Sequence, residues 1–176
     1  PKLKMMGIEA VKSSTPAPCR TAIKNAIQVM MNGTEDDLLS YIDTFKSEFN
    51  SLPPEDIAFP RSVNGLRKFK ASGTVYSKGC PLHVRGTLLY NFYIAKNKLE
   101  YKYPLVQEGE KIKHAYLLRP NPLGNENVIS FLNTFPRELD LAESIDRDAQ
   151  FKKSFLDPLR IISDVIGWDI ERVPNL

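Results

Sequence analysis

Cys80 and His83 stand three residues apart, a spacing that two zinc ligands could use. A structural zinc site needs two such pairs. The other cysteine and the other histidine, Cys19 and His114, lie far from them and from each other. Metal binding is therefore not expected, and His83 reads as a packed or phosphate-facing histidine. Asp36 and Asp37 fall at a helix start, where carboxylates complement the helix dipole, a structural role. Asp146 and Asp148 are two apart and would not share a helix face, so a paired-carboxylate metal site has no support there. Neither a glycine-rich phosphate loop nor a nucleophile elbow is present. No catalytic residue is assigned.

What remains is charge. Between Asp56 and Glu100 there is no acidic residue, while Arg61, Arg67, Lys68, Lys70, Lys78, Arg85, Lys96 and Lys98 fall inside that window. The preceding stretch, residues 35–56, carries seven carboxylates against Lys46 alone. Such a dipolar layout is either an electrostatic footprint for a polyanion or a solvated basic face. Phe69, Tyr76, Tyr90 and Tyr93 are interleaved with the cations, and glycines there let a backbone approach phosphate closely. Contacts of this kind position a duplex without reading its sequence.

The elements that must carry these residues are partly legible. The first residues form a basic, strand-like run. Thr15-Pro16 reads as a cap and first residue of a helix. Ile23, Ala26, Ile27, Met30 and Met31 supply its apolar face, and Asn32-Gly33 ends it. Thr34 and Asp37 form a capping-box pattern before a second amphipathic helix, with Leu38, Tyr41, Ile42, Phe45, Phe49 and Leu52 on one face and Pro53-Pro54 as its stop. The short connection predicts an antiparallel pair. Residues 56–80 read as a loop-rich basic excursion with a short helix over Leu66–Phe69. "PLHVRGTLLYNFYIAKN" fits helix or strand, with helix favoured by length. "LEYKYPLVQEGEKIKHAYLL" predicts short strands around a Glu-Gly turn, and "VISFL" another. From Leu139 onward the pattern is helical, with Phe151, Phe155, Leu159, Ile162 and Ile166 on one face, a kink at Asp157-Pro158 and a stop at Gly167. The fold class is α+β, mostly helical, with a few short strands.

At 176 residues, 42% hydrophobic and 26% charged, with a net charge of +3, the chain has the composition of one ordinary globular domain. No stretch approaches the ~20 apolar residues of a membrane helix, so no membrane is expected. The opening residues lack a signal peptide's apolar run, so no export is expected either. Two cysteines fit a reducing compartment.

Four stretches together resemble a known family. "PKLKMMGIEAVKSSTP" is similar to the palm-to-thumb junction of replicative family B DNA polymerases of T-even-like bacteriophages. "KGCPLHVRG", "RPNPLGNENVISF" and "IDRDAQFKKSFLDPL" resemble successive thumb segments of those enzymes, in the same order and at similar spacing. The resemblance covers nearly the whole chain. It implies a joint between two domains, with residues 1–15 closing the palm and 16–176 forming the thumb. The thumb would grip primer–template DNA through its backbone and aid the shuttle between polymerising and editing modes.

The catalytic aspartates, their Mg and the exonuclease would lie upstream, so no cofactor and no active site are expected in this chain. The palm and exonuclease would be its partners within a monomeric polymerase, in the cytoplasm of an infected bacterial host. By the same resemblance, Lys2 and Lys4 would lie near the primer strand, and Ser13, Ser14 and Thr15 at the hinge. Lys78, His83, Arg85, Lys152 and Lys153 would meet the duplex backbone. Lys78 stands one residue further from its cysteine than the family's usual lysine, and Asp157 stands where the family often has lysine. The family's tail carries an aromatic sliding-clamp motif, whereas this sequence closes on "VPNL". The alternatives are an unrelated nucleic-acid-binding module and a protein-interaction domain.

Overall fold

The computed structural model describes residues 2–171. The fold is α+β, helices with one small antiparallel sheet. The chain divides into two compact units. One joins the residues up to Ile57 with those from Asp148 onward; the other is Ala58–Arg147.

The first unit is helical. Helix α1 (Lys2–Ala10) replaces the strand-like run expected there. It packs against α2 (Ala17–Asn32) and α8 (Asp157–Val165), and Gly7, buried, lets it close on Ile27, whose side chain occupies the place a Cβ would take. Packing of this kind overrides a weak local preference. Helix α2 starts one residue later than the capping pattern predicts. Pro16 is its N-cap, Pro18 lies in its first turn, and no side chain caps it. Thr15 is buried, and its hydroxyl accepts from the Lys12 N–H (3.4 Å) instead.

Cys19, Ile23, Ala26, Ile27 and Met30 form the buried face of α2, while Met31, expected among them, is 46% exposed. Helix α3 (Glu35–Ser51) begins with the predicted capping box. Asp37 N–H donates to the Thr34 hydroxyl (3.2 Å), and Thr34 N–H donates to the Asp37 carboxylate (2.9 Å). α2 packs against α3 across the turn at Gly33-Thr34, and the short helix α4 (Pro54–Ile57) follows.

The closing helical segment starts later than Leu139. Residues 137–139 and 142–144 make single 3₁₀ turns, and α7 (Arg147–Phe151) comes next. Lys152–Leu156 is a π-helical turn that runs into α8 without a break. A π turn therefore stands immediately ahead of Asp157-Pro158, where a kink is expected from the sequence. Pro158 has no N–H and its ring would crowd the carbonyl four residues earlier, and widening the preceding turn relieves that conflict. Phe151 and Phe155 meet Phe45 and Phe49 of α3 in one aromatic cluster, with ring centroids 4.8–6.1 Å apart.

The second unit is a helix on a sheet, in strand order β1-β2-β3. β1 (Phe59–Ser62) lies within the stretch read as loop. Its Pro60 lacks a donor, which an edge strand tolerates. β2 (Lys111–Tyr116) pairs antiparallel with β1, Phe59 opposite His114, and with β3 (Val128–Phe131). Helix α5 (Leu66–Phe69) is the predicted short turn. Helix α6 (Leu82–Lys96) settles the ambiguous stretch as helix, and it packs along β3.

The run before the Glu-Gly turn forms no strand. Asn91 of α6 holds both backbone groups of Val106: its amide donates to the Val106 carbonyl (3.1 Å) and its oxygen accepts from the Val106 N–H (2.8 Å). The backbone of that run is thereby spent on a helix side chain, and β2 finds its partner fifty residues upstream.

Candidate nucleic-acid interface

In the second unit the cations are carried by β1, α5, the loop of residues 70–80, and α6. The loop is closed at its base by an antiparallel bridge, Lys70 with Tyr76, and by Ser77 N–H donating to the Phe69 carbonyl (2.8 Å). Lys78 lies just beyond, exposed. Arg85 reaches back from α6 toward the loop. Its guanidinium lies 5.7 Å from the centre of the Tyr76 ring and donates to Asn127 (2.6 Å). Tyr76 in turn donates to Glu126 (2.6 Å), and burial together with that carboxylate raises its pKa.

Arg85 is thus half-buried and already engaged, and its Nε is buried with no partner. Held this way it braces the loop that presents Lys78. Asn121 closes the facing loop: its side-chain amide donates to the carbonyls of Leu118 (2.8 Å) and Glu126 (2.6 Å) and its oxygen accepts from Leu123 N–H (2.8 Å). The Asn121-Pro122-Leu123-Gly124 turn that results keeps Glu126 and Asn127 in reach of Tyr76 and Arg85. Sequence reasoning singled out none of Asn121, Glu126 and Asn127. The Asn-Pro-x-Gly turn signature was the available sign for the first.

His83, two residues from Arg85, points the other way. It is 8% exposed, and its ring lies 6.4 Å from that of His114 on β2. Burial first, and then the Arg61 charge, hold its pKa below the usual histidine value. His114 is pushed down to about 4 by burial, then by His83 and Arg61, and its Nδ1 has no partner. Both imidazoles face the core side of the sheet, so His83 serves packing in this geometry. Cys80 is half-buried, with its thiol pKa raised by burial against the opposing charge of Arg85, and so carries little thiolate. Among the described residues no three His, Cys, Asp or Glu side chains converge to hold a metal ion.

The histidine pair has a consequence for pH. A folded-state pKa below the unfolded value means that the unfolded chain binds protons the folded one refuses. His114 therefore contributes stability that is intact above about pH 6.5 and lost as pH falls through the window toward 4. At pH 5 the loss from His114 is about 2 kcal/mol. Urea unfolding midpoints at pH 7 and pH 5 should diverge in the native chain, and by clearly less in His114→Gln, where His83 alone of the pair still contributes. An equal drop in both would remove the histidine from the account.

In the first unit Lys2 and Lys4 are exposed on α1, and Ser13 and Ser14 are exposed in the turn before α2, with Thr15 buried beside them. The π turn carries Lys152 and Lys153 outward. It is locked from behind: Gln150 donates to the Ile57 carbonyl (2.7 Å), and the buried Ser154 hydroxyl donates to the Gln150 carbonyl and accepts from the Cys19 thiol (3.3 Å). Burial pushes that thiol up to about 11, so Cys19 is a packing residue. Lys152 is tied to Asp157 (3.0 Å), which also pairs with Arg160 (3.3 Å). Lys153 is exposed at the same turn. The ten residues proposed from sequence thus divide between the two units: Lys78, His83 and Arg85 lie in the second, the other seven in the first.

The chain is 30% identical over its whole length to the DNA-directed DNA polymerase of Enterobacteria phage T4, and 34% identical to that of Escherichia phage RB69. The chain is thus similar, along its whole length, to a segment of these two phage polymerases. It spans 19% of the length of each of those two polymerases. No protein-family model matches it. Among the described residues no helix is long and apolar enough to cross a membrane.

Proposed function

We propose that this chain is the thumb region of a replicative family B phage DNA polymerase and grips the primer–template duplex through its backbone. The observation that carries the reading is the end-to-end similarity to two phage polymerases. The exposure of Lys78, on a loop braced by Arg85, and of Lys153, on the locked π turn, supports it. Both are long cations on rigid bases, the arrangement that backbone contact needs. Lys2, Lys4, Ser13 and Ser14 add exposed donors before α2. His83, Thr15 and Arg85 act behind the surface, and Lys152 is shared with Asp157. On this reading Mg, the catalytic aspartates and the exonuclease belong to the rest of the polymerase, and the sliding clamp is a partner of the whole enzyme in the cytoplasm of the infected host.

Fluorescence anisotropy with a labelled primer–template, a blunt duplex and a single strand, each across a salt series, tests the proposal. Binding should favour the two duplex forms and weaken steeply with salt. Lys78→Ala and Lys153→Ala should each weaken binding alike on unrelated sequences and flatten the log–log salt slope by about 0.9. A preference for the single strand would favour an unrelated stacking module. No binding at low salt would favour a protein-interaction domain.

A further inference from the structure

The second unit carries an open cleft of about 1210 Å³ between α5, the 70–76 loop, the outer face of α6 and residues 105–108. None of the ten residues assigned to DNA lines it. The cleft is larger than the ~300–1,000 Å³ typical of a small-molecule pocket. Its floor is aliphatic: Leu66, Leu88, Ala95, Leu105 and Val106.

Its polar walls are turned inward. Asn91 is engaged with Val106 through both its amide nitrogen and its oxygen, and the Glu108 carboxylate accepts from the N–H groups of Gly65 (2.7 Å) and Leu66 (3.2 Å). Those backbone bonds, foremost the one from Leu66, hold its pKa below the usual carboxylate range, so it stays charged but occupied. The remaining charged groups at the rim are cations: Arg67, Lys70 and Lys96. Lys70 and Lys96 enter no ion pair among the described residues.

We infer that this cleft is a docking groove for an acidic amphipathic helix of a protein partner, with branched aliphatic side chains on the floor and carboxylates against Arg67, Lys70 and Lys96. Charge decides the sign of the partner, because three cations face one occupied carboxylate. Shape and chemistry decide against a stacked nucleic-acid strand. The one aromatic ring in the lining, Phe92, is 44% exposed, but its face is shared with the Lys96 ammonium (5.9 Å) and its neighbour Tyr93 packs edge-on (5.1 Å). Base stacking needs open ring faces. An aliphatic floor under a charged rim suits the helix-in-groove mode, with anchors at i, i+3, i+4 and i+7.

The test uses the whole chain and a fluorescein-labelled synthetic helix bearing leucines at those four positions and glutamate elsewhere. Its lysine-for-glutamate counterpart and a labelled oligothymidylate serve as comparison probes. The glutamate peptide should bind at micromolar concentration and the lysine peptide should not. Ala95→Trp, which fills the floor, and the double reversal Lys70→Glu/Lys96→Glu should each weaken binding at least about tenfold. All three sites are exposed, so the variants should fold.

Duplex DNA binding should be unchanged in Ala95→Trp, which separates failure of this inference from failure of the thumb reading. Failure of the glutamate peptide to bind, or binding unaffected by both variants, overturns the inference. Oligothymidylate binding that Ala95→Trp abolishes also overturns it, and would make the cleft a single-strand groove.

Discussion

Phe155→Ala should destabilise the first unit by about 3–5 kcal/mol, lowering the chain's melting temperature by roughly 10 °C or more. Phe155 has no exposed surface and sits 4.8 Å from Phe45 and 5.3 Å from Phe151, ring centre to ring centre. Truncation removes the transfer energy of a whole ring and leaves a cavity beside two other rings that are themselves packed. The ring also belongs to the π turn that carries Lys152 and Lys153. Loss of duplex affinity should therefore accompany the loss of stability, whereas Lys153→Ala should lose affinity alone. Differential scanning calorimetry beside anisotropy separates the two. A Phe155→Ala chain that melts within a few degrees of the native one would mean that the aromatic cluster does not hold the turn.

Gly86→Val should cost about 3 kcal/mol in the second unit, against the usual gain from replacing a helical glycine. That gain is at most about 0.5–1 kcal/mol even for alanine. A Cβ at position 86 would lie 2.6 Å from the Ser130 hydroxyl, 3.0 Å from the Ser130 backbone nitrogen and 3.1 Å from Val128. The hydroxyl could rotate away only by giving up its hydrogen bond to the His83 carbonyl (3.1 Å), and the backbone nitrogen belongs to β3. α6 must therefore lift from the sheet, taking Arg85 with it. Gly86→Ala should show the smaller form of the same effect, and Ser130→Ala should rescue it in part, a coupling a double-mutant cycle measures. If Gly86→Ala is neutral or stabilising, the close approach of α6 to β3 is not what selects glycine there.

Helix beginnings and ends written in neighbouring residues were legible from the sequence. The Thr34–Asp37 box, the Asn32-Gly33 stop, the Leu66–Phe69 turn and the apolar face of α3 are all chemistry within four residues. So was the polymerase relationship, carried by four motifs in order and then matched by the T4 and RB69 enzymes at 30% and 34% identity. Contact over distance was not legible. β1 pairs with β2 across fifty residues and contains a proline, so nothing local announces it.

The candidate interface divides along the same line. Which residues are cations, that they crowd into an acid-free window, and that lysines accompany the Phe-x-x-Ser-Phe stretch are properties of the sequence alone. Which of them face outward was decided by packing. Thr15 lost its capping role because Lys12 N–H took its hydroxyl. His83 turned inward because α6 lies against β3 and beside the His114 strand. Lys152 was claimed by Asp157 because the π turn ahead of Pro158 brings the two together. A side chain's type sets what chemistry it can offer, but its direction depends on which of its neighbours, near or far in the chain, reaches it first. That second term is a property of the folded chain and of no short stretch of it.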